Sequence, residues 1–238
     1  MSDPTRTSQS TRHATGAARA ADRTPATAVA PAVRRPLAAA VRALIAAAAL
    51  TGLATEADLA PDLPHFLGNF AVQANIAVAL VFLWSSHRSW TGRRPVSPRL
   101  TGATLFFITL AGLFALFAQA APSGDTGGFA LPGATAGPTG AHAIAGPLLH
   151  TVIPLAVLAD WLLLTAPGGF RRSDAWQWPA YPLLYLAFTF LPGPPPHALA
   201  IAVTACLLPL ITIAIDQVRP SPGLHRNRIS PTGISPLK

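Results

Sequence analysis

The sequence predicts an all-α, polytopic membrane protein with six transmembrane helices and both termini cytoplasmic. Three observations carry this. Of the 238 residues, 51% are hydrophobic and 11% charged, against roughly 25% charged in a soluble domain. The apolar residues cluster in runs apolar all round, as lipid-embedded helices require. The arginines fall in alternate connecting segments, while the other connections lack Lys and Arg, which is the positive-inside pattern. In a soluble protein a net charge of +8 would suggest an anionic partner such as nucleic acid. Here no basic run alternates with aromatics, so nucleic acid is not an expected partner and the charge is read as a topology signal. The expected partners are membrane lipids, and the expected location is the cell membrane, multi-pass. The single cysteine, Cys206, excludes an intrachain disulfide and a cysteine-based zinc site.

Residues 1–35 are rich in Ala, Thr, Ser and Arg and hold no large apolar cluster. Such a segment buries too little to offset its ordering entropy, so it is predicted to be a disordered cytoplasmic tail, held inside by its arginines. The transmembrane domain is placed at 36–217 and a second cytoplasmic tail at 218–238. The first span, Pro36 to Ala54, is alanine-rich, and Arg42 interrupts it, with its guanidinium expected to snorkel to the inner interface. A rival reading takes Arg34-Arg35, the apolar run and LATEA as a twin-arginine export signal. The residues around the arginine pair fit that pattern poorly, and the later spans need an inside start.

Glu56, Asp58 and Asp62 mark an outer loop. The second span, Pro64 to Ser85, has a polar outer half. His65, Asn69 and Gln73 recur at i, i+4 and i+8 and would share one helix face, with Asn75 off that stripe. Polar side chains at this depth face other helices or a wet cavity. His87, Arg88, Arg93, Arg94 and Arg99 form an inner loop with Trp90 as interfacial anchor. The third span, Leu100 to Ala121, is plain, and the Gly- and Pro-rich segment to Ala145 reads as an outer connector. The fourth span, Pro147 to Ala166, carries His150 and Asp160. Gly168-Gly169 and Arg171-Arg172 turn the chain inside, and Trp176 and Trp178 flank a short fifth span, Pro179 to Leu191, at the interface. PGPPPH, ending at His197, is an outer turn. The sixth span, Ala198 to Ile215, leads to Asp216, Arg219, Arg226, Arg228 and Lys238 inside.

Chemistry is thinly marked. His65, His150 and His197 fall at similar outer depth, without the short spacing of a metal motif, so no metal site is assigned and no cofactor is expected. Asp160 lies ten residues from His150, about 15 Å along a helix, too far for a His–Asp pair. A structural pairing with Arg171, Arg172 or a tail arginine is expected instead. No nucleophile elbow, phosphate loop or dinucleotide fingerprint is present. Thr151 adjoins His150 but points away from it. Thr104, Thr109, Thr189 and Thr204 read as interhelical hydrogen-bonding residues.

His150, Pro154, Asp160-Trp161, Arg171-Arg172 and the Tyr181-Pro182 pair with Tyr185 together resemble the androgen-induced-gene-like membrane proteins, and more closely their bacterial six-helix relatives. The resemblance spans residues 40 to 217 and is most specific in the fourth and fifth spans. It implies six helices. Asp160, Trp161, Tyr181 and Tyr185 are read as structural residues. Animal members are regarded as lipid-ester hydrolases that use an intramembrane threonine with a histidine. The histidine position falls on His150, which is thereby the candidate catalytic base. The threonine position falls on Ala71 and the motif serine on Ala74; only Phe70 and Asn75 of that motif remain, and PGPPPH replaces a family segment after the fifth span. The expected function is therefore a non-catalytic membrane protein with an outward-facing polar pocket for a lipid or amphiphile, formed by His65, Asn69, Gln73 and Asn75 with His150. The alternative is a lipid-ester hydrolase using His150 as base.

Overall fold

The computed structural model describes residues 34–120, 142–189 and 198–220. The expected N-terminal tail, most of the Gly- and Pro-rich connector, PGPPPH with His197, and Arg226, Arg228 and Lys238 lie outside the described residues. Those described are all-helical: α1 Pro36–Leu59, α2 Leu63–Gly68, α3 Phe70–Thr91, α4 Pro98–Ala120, α5 His142–Pro147, a π-turn Leu148–Val152, α6 Ile153–Leu164, α7 Asp174–Thr189 and α8 Ala198–Val218.

The boundaries follow local chemistry. Pro36 opens α1 at a position where its missing N–H costs nothing. Asp62 caps α2, accepting the His65 N–H at 2.7 Å, and Asn69 Oδ1 caps α3, accepting the Ala71 N–H at 2.9 Å. The expected continuous second span is thus two helices with an extended residue, Asn69, between them. The His65–Asn69–Gln73 stripe does not exist, because a capping asparagine ends the helical register on which it depended. Gly92, at φ 69°, ends α3 in the left-handed conformation. The N–H groups of Gly92 and Arg93 both turn back to the Arg88 carbonyl, which leaves the Ser89 carbonyl for the Arg35 N–H at 3.0 Å.

Helix α5, the π-turn and α6 form one rod. Pro154 has no N–H, and the Ile153 N–H bonds the Leu148 carbonyl. The Leu149 carbonyl is therefore left without a backbone donor by either register. Helix α4 approaches this turn closely: a Cβ on Gly112 would sit 3.1 Å from Pro154 Cγ and 3.2 Å from the His150 carbonyl oxygen.

Five segments are long and apolar enough to cross a membrane: Pro36–Leu59, Phe70–Thr91, Pro98–Phe117, Ala143–Leu164 and Leu199–Val218. The expected fifth span, α7, has 16 residues, about 24 Å of rise against a hydrocarbon core of about 30 Å. It begins at Asp174, five residues earlier than expected. This draws Trp178 into the core at 4% exposure, whereas Trp176 stays 85% exposed. The interfacial placement expected for both tryptophans is corrected for Trp178, which packs edge-on against Phe170 and fills the space above Gly102.

The core is built between small and large residues. Ala39, Arg42, Ala46, Ala49 and Leu53 form a buried stripe on α1, spaced three and four residues apart as in coiled-coil seams, and α1 packs chiefly on α3. Alanine lets the backbones close, which suits association where lipid gives no hydrophobic drive between helices. Outside, Leu37, Leu44, Leu163, Phe188 and Leu199 are exposed, the belt a lipid-facing bundle presents. Three of the four threonines do not bridge helices as expected. Thr104, Thr109 and Thr204 each donate to the carbonyl four residues back in their own helix, at 2.7–2.9 Å.

Candidate functional site

The polar residues of the α2–α3 break and of the π-turn form two adjoining layers. In the first, breaking the helix at Asn69 leaves the last carbonyls of α2 without helical donors. Gln73 Nε2 reaches back to the Leu67 carbonyl at 2.6 Å, and Tyr185 from α7 donates to the Gly68 carbonyl at 3.0 Å. The Tyr181 hydroxyl donates to Gln73 Oε1. Phe70 lies under both tyrosines, at ring-centroid distances of 6.3 Å from Tyr181 and 5.4 Å from Tyr185. Phe107 adds a third contact to Tyr181 at 5.7 Å. Tyr181, Tyr185 and Gln73 therefore clamp the short α7 to the break.

The second layer is deeper. Asn75 is fully buried. Its Nδ2 donates to the Ala71 carbonyl at 2.8 Å and to the Leu149 carbonyl at 3.4 Å, the carbonyl orphaned by the π-turn. Its Oδ1 accepts nothing. His150, 9% exposed, sits on the turn itself, and its Nδ1 also has no hydrogen-bond partner. Two unpartnered buried polar atoms therefore come from elements that pack together, α3 and the π-turn. Such groups are uncommon in native structures and cost about 1–3 kcal/mol each when left so.

Of the sequence-predicted pocket, the fold brings together Gln73 with Tyr181 and Asn75 with the His150 turn. His65 is exposed on α2, and its side chain joins neither layer. Asn69 is committed to its cap. Among the described residues no Ser or Thr hydroxyl hydrogen-bonds His150, and Ala71 and Ala74 offer none. No group of three His, Cys, Asp or Glu side chains among the described residues is placed to hold a metal.

At the opposite end, three buried carboxylates each meet an arginine. Asp160 pairs with Arg42, through Nε at 3.0 Å and Nη2 at 3.3 Å, and not with Arg171, Arg172 or a tail arginine as expected. Arg42 accordingly does not snorkel but turns inward, also donating to Ser89 Oγ at 2.9 Å and Thr165 Oγ1 at 3.5 Å. The sequence reading missed this pair because its members are 118 residues apart; a charge inside each of two apolar runs was the available signal. Asp216 pairs with Arg219 at 2.9 Å and accepts the Phe170 N–H at 3.1 Å. Arg219 also donates to the Trp161 carbonyl and lies over the Trp161 ring, with Cζ 4.7 Å from its centroid. Asp174 accepts the Arg171 N–H at 2.9 Å and lies at ion-pair distance, 3.2 Å, from Arg99 Nε, without hydrogen-bond alignment.

No protein-family model, curated protein or solved structure matches this chain.

Proposed function

We propose that the chain is a six-span, multi-pass protein of the cell membrane, with both termini cytoplasmic, that binds the polar group of a lipid or other amphiphile without chemically changing it. The binding floor is Asn75 with His150, and Gln73 with Tyr181 forms its rim. The observation that carries this is the pair of buried, unpartnered atoms, Asn75 Oδ1 and His150 Nδ1. A hydroxyl or amide group is the natural complement, because it can donate to one atom while accepting from or donating to the other. In this reading α7 is a short crossing that the tyrosine clamp holds in place. The arginine-bearing end faces the cytoplasm, as the positive-inside rule implies. The inward pairing of Arg42 with Asp160 also supports α1 as a permanent span over an export signal. The likeness to androgen-induced-gene-like proteins is proposed on His150, Pro154, Asp160, Trp161, Tyr181, Pro182 and Tyr185.

The test is photo-crosslinking of the full chain in vesicles with a diazirine-bearing monoacylglycerol. Crosslinking that falls several-fold in Asn75→Leu and His150→Leu, but not in His65→Leu, is the expected result. Equal labelling of all variants removes the reading. The lipid-ester hydrolase, with His150 as base, is tested separately by fluorophosphonate labelling with His150→Ala as control; His150-dependent labelling would establish it over passive binding.

A further inference from the structure

A groove of about 680 Å³ runs along the outside of the bundle between α1 and α3. Ala39, Ala40 and Ala43 form one wall; Leu80, Leu83, Trp84 and Trp90 form much of the other. It exists because α1 presents only methyl groups there, while α3 presents large side chains. From Leu80 to Trp90 it follows α3 for about 15 Å of rise, so it reaches from the arginine-bearing end well into the hydrocarbon depth. Its deep part is apolar. His87 and Trp90 line its mouth, and tryptophan prefers the headgroup level.

Charge singles out the mouth. The hydrogen bond from the Arg35 N–H to the Ser89 carbonyl brings the start of α1 to the end of α3. The bond from Arg88 to the Arg94 carbonyl at 2.9 Å folds the segment after Gly92 back on α3. Arg34, Arg35, Arg93 and Arg94 are thereby gathered around one end of the groove, and all four are exposed. None of the four has a carboxylate partner among the described residues, since Asp160, Asp174 and Asp216 are buried and already occupied by Arg42, Arg99 and Arg219. An apolar slot at acyl-chain depth, opening beside guanidinium groups that have no carboxylate partner among the described residues, is complementary to one class of molecule.

We infer that this groove is a binding site for an anionic phospholipid of the surrounding membrane, its acyl chain lying against Ala40 and Ala43 and its phosphate-bearing headgroup among Arg35, Arg93 and Arg94. The site is separate from the Asn75–His150 floor and does not depend on that reading.

The full chain is reconstituted in phosphatidylcholine vesicles carrying a minor fraction of chain-brominated lipid, and quenching of tryptophan emission is measured. Brominated phosphatidylglycerol quenches several-fold more effectively than brominated phosphatidylcholine at equal fraction, because Trp84 and Trp90 line the site. Ala43→Phe, which fills the groove, abolishes the difference. Arg93→Gln/Arg94→Gln, both on the exposed surface, brings the two lipids to nearly equal quenching, as expected on losing two basic residues at an anionic membrane surface. Equal quenching by the two lipids overturns the proposal. So does a preference that survives in the double arginine variant, or wild-type chains that crosslink into dimers through this face, which would make a second copy the occupant.

Discussion

At Arg42 one guanidinium is shared among Asp160, Ser89 and Thr165, and the group is buried. Burial of an ion pair is costly, and its geometry only offsets that cost. Removing one partner is worse, because the other is left charged and unmatched. Arg42→Leu or Asp160→Asn should each cost about 3–5 kcal/mol, read from thermal unfolding in detergent. Arg42→Leu/Asp160→Leu should recover most of the loss. Strictly additive effects would show that the two side chains do not act as a pair. The charges themselves were plain in the sequence; their pairing was not, since nothing local relates residues so far apart in the chain. Asn69 shows the reverse case. Its amide oxygen caps α3, whereas the regular spacing of His65, Asn69 and Gln73 suggested an unbroken face. A side chain that caps a helix interrupts the periodicity it seems to join.

Among elements, α7 depends most on its neighbours. It is short and is fastened at two levels: by Tyr181 and Tyr185 on the α2–α3 break, and by Trp178 over Gly102. A Cβ on Gly102 would lie 2.4 Å from the Trp178 ring, so Gly102→Ala must displace an indole confined by Phe170. Overpacking of this kind costs about 1–3 kcal/mol. Gly102→Ala should lower the unfolding temperature, and adding Trp178→Phe should partly restore it; no coupling between the two would remove the close contact as the cause. Tyr185→Phe should weaken the other fastening by about 0.5–1.5 kcal/mol, the net contribution of one hydrogen bond, measured in the same assay. Composition located the helices because lipid demands long apolar runs. It could not foresee the π-turn, whose cause is joint: Pro154 withdraws a donor, and Asn75, from another helix, supplies one.

For the whole molecule, buried polar atoms without hydrogen-bond partners occur at both ends, Trp161 Nε1 and Asp174 Oδ1 at the basic end among them, and the two ends differ instead in charge pairing. At the basic end each buried carboxylate has its arginine. At the other end Asn75 Oδ1 and His150 Nδ1 are unmatched. Sidedness is testable directly. In a Cys206→Ala background, Arg94→Cys and Arg172→Cys should react with a membrane-impermeant maleimide only after the membrane is opened, and Asp58→Cys should react from outside in intact cells. Labelling of Arg94→Cys in intact cells would invert the proposed topology. The proposed topology rests on arginine placement, which the sequence displays directly; the proposed floor was only half legible, since hydrogen-bond vacancies arise from contacts between helices. The Arg42–Asp160 pair, finally, imposes a schedule on biosynthesis. The first helix leaves the ribosome carrying a charge whose counterpart has yet to be translated. It must wait, poorly anchored, while three further crossings are made. Chains halted before residue 160 are expected to be turned over faster than chains halted after Leu164, and pulse-chase of the two truncations would measure that difference.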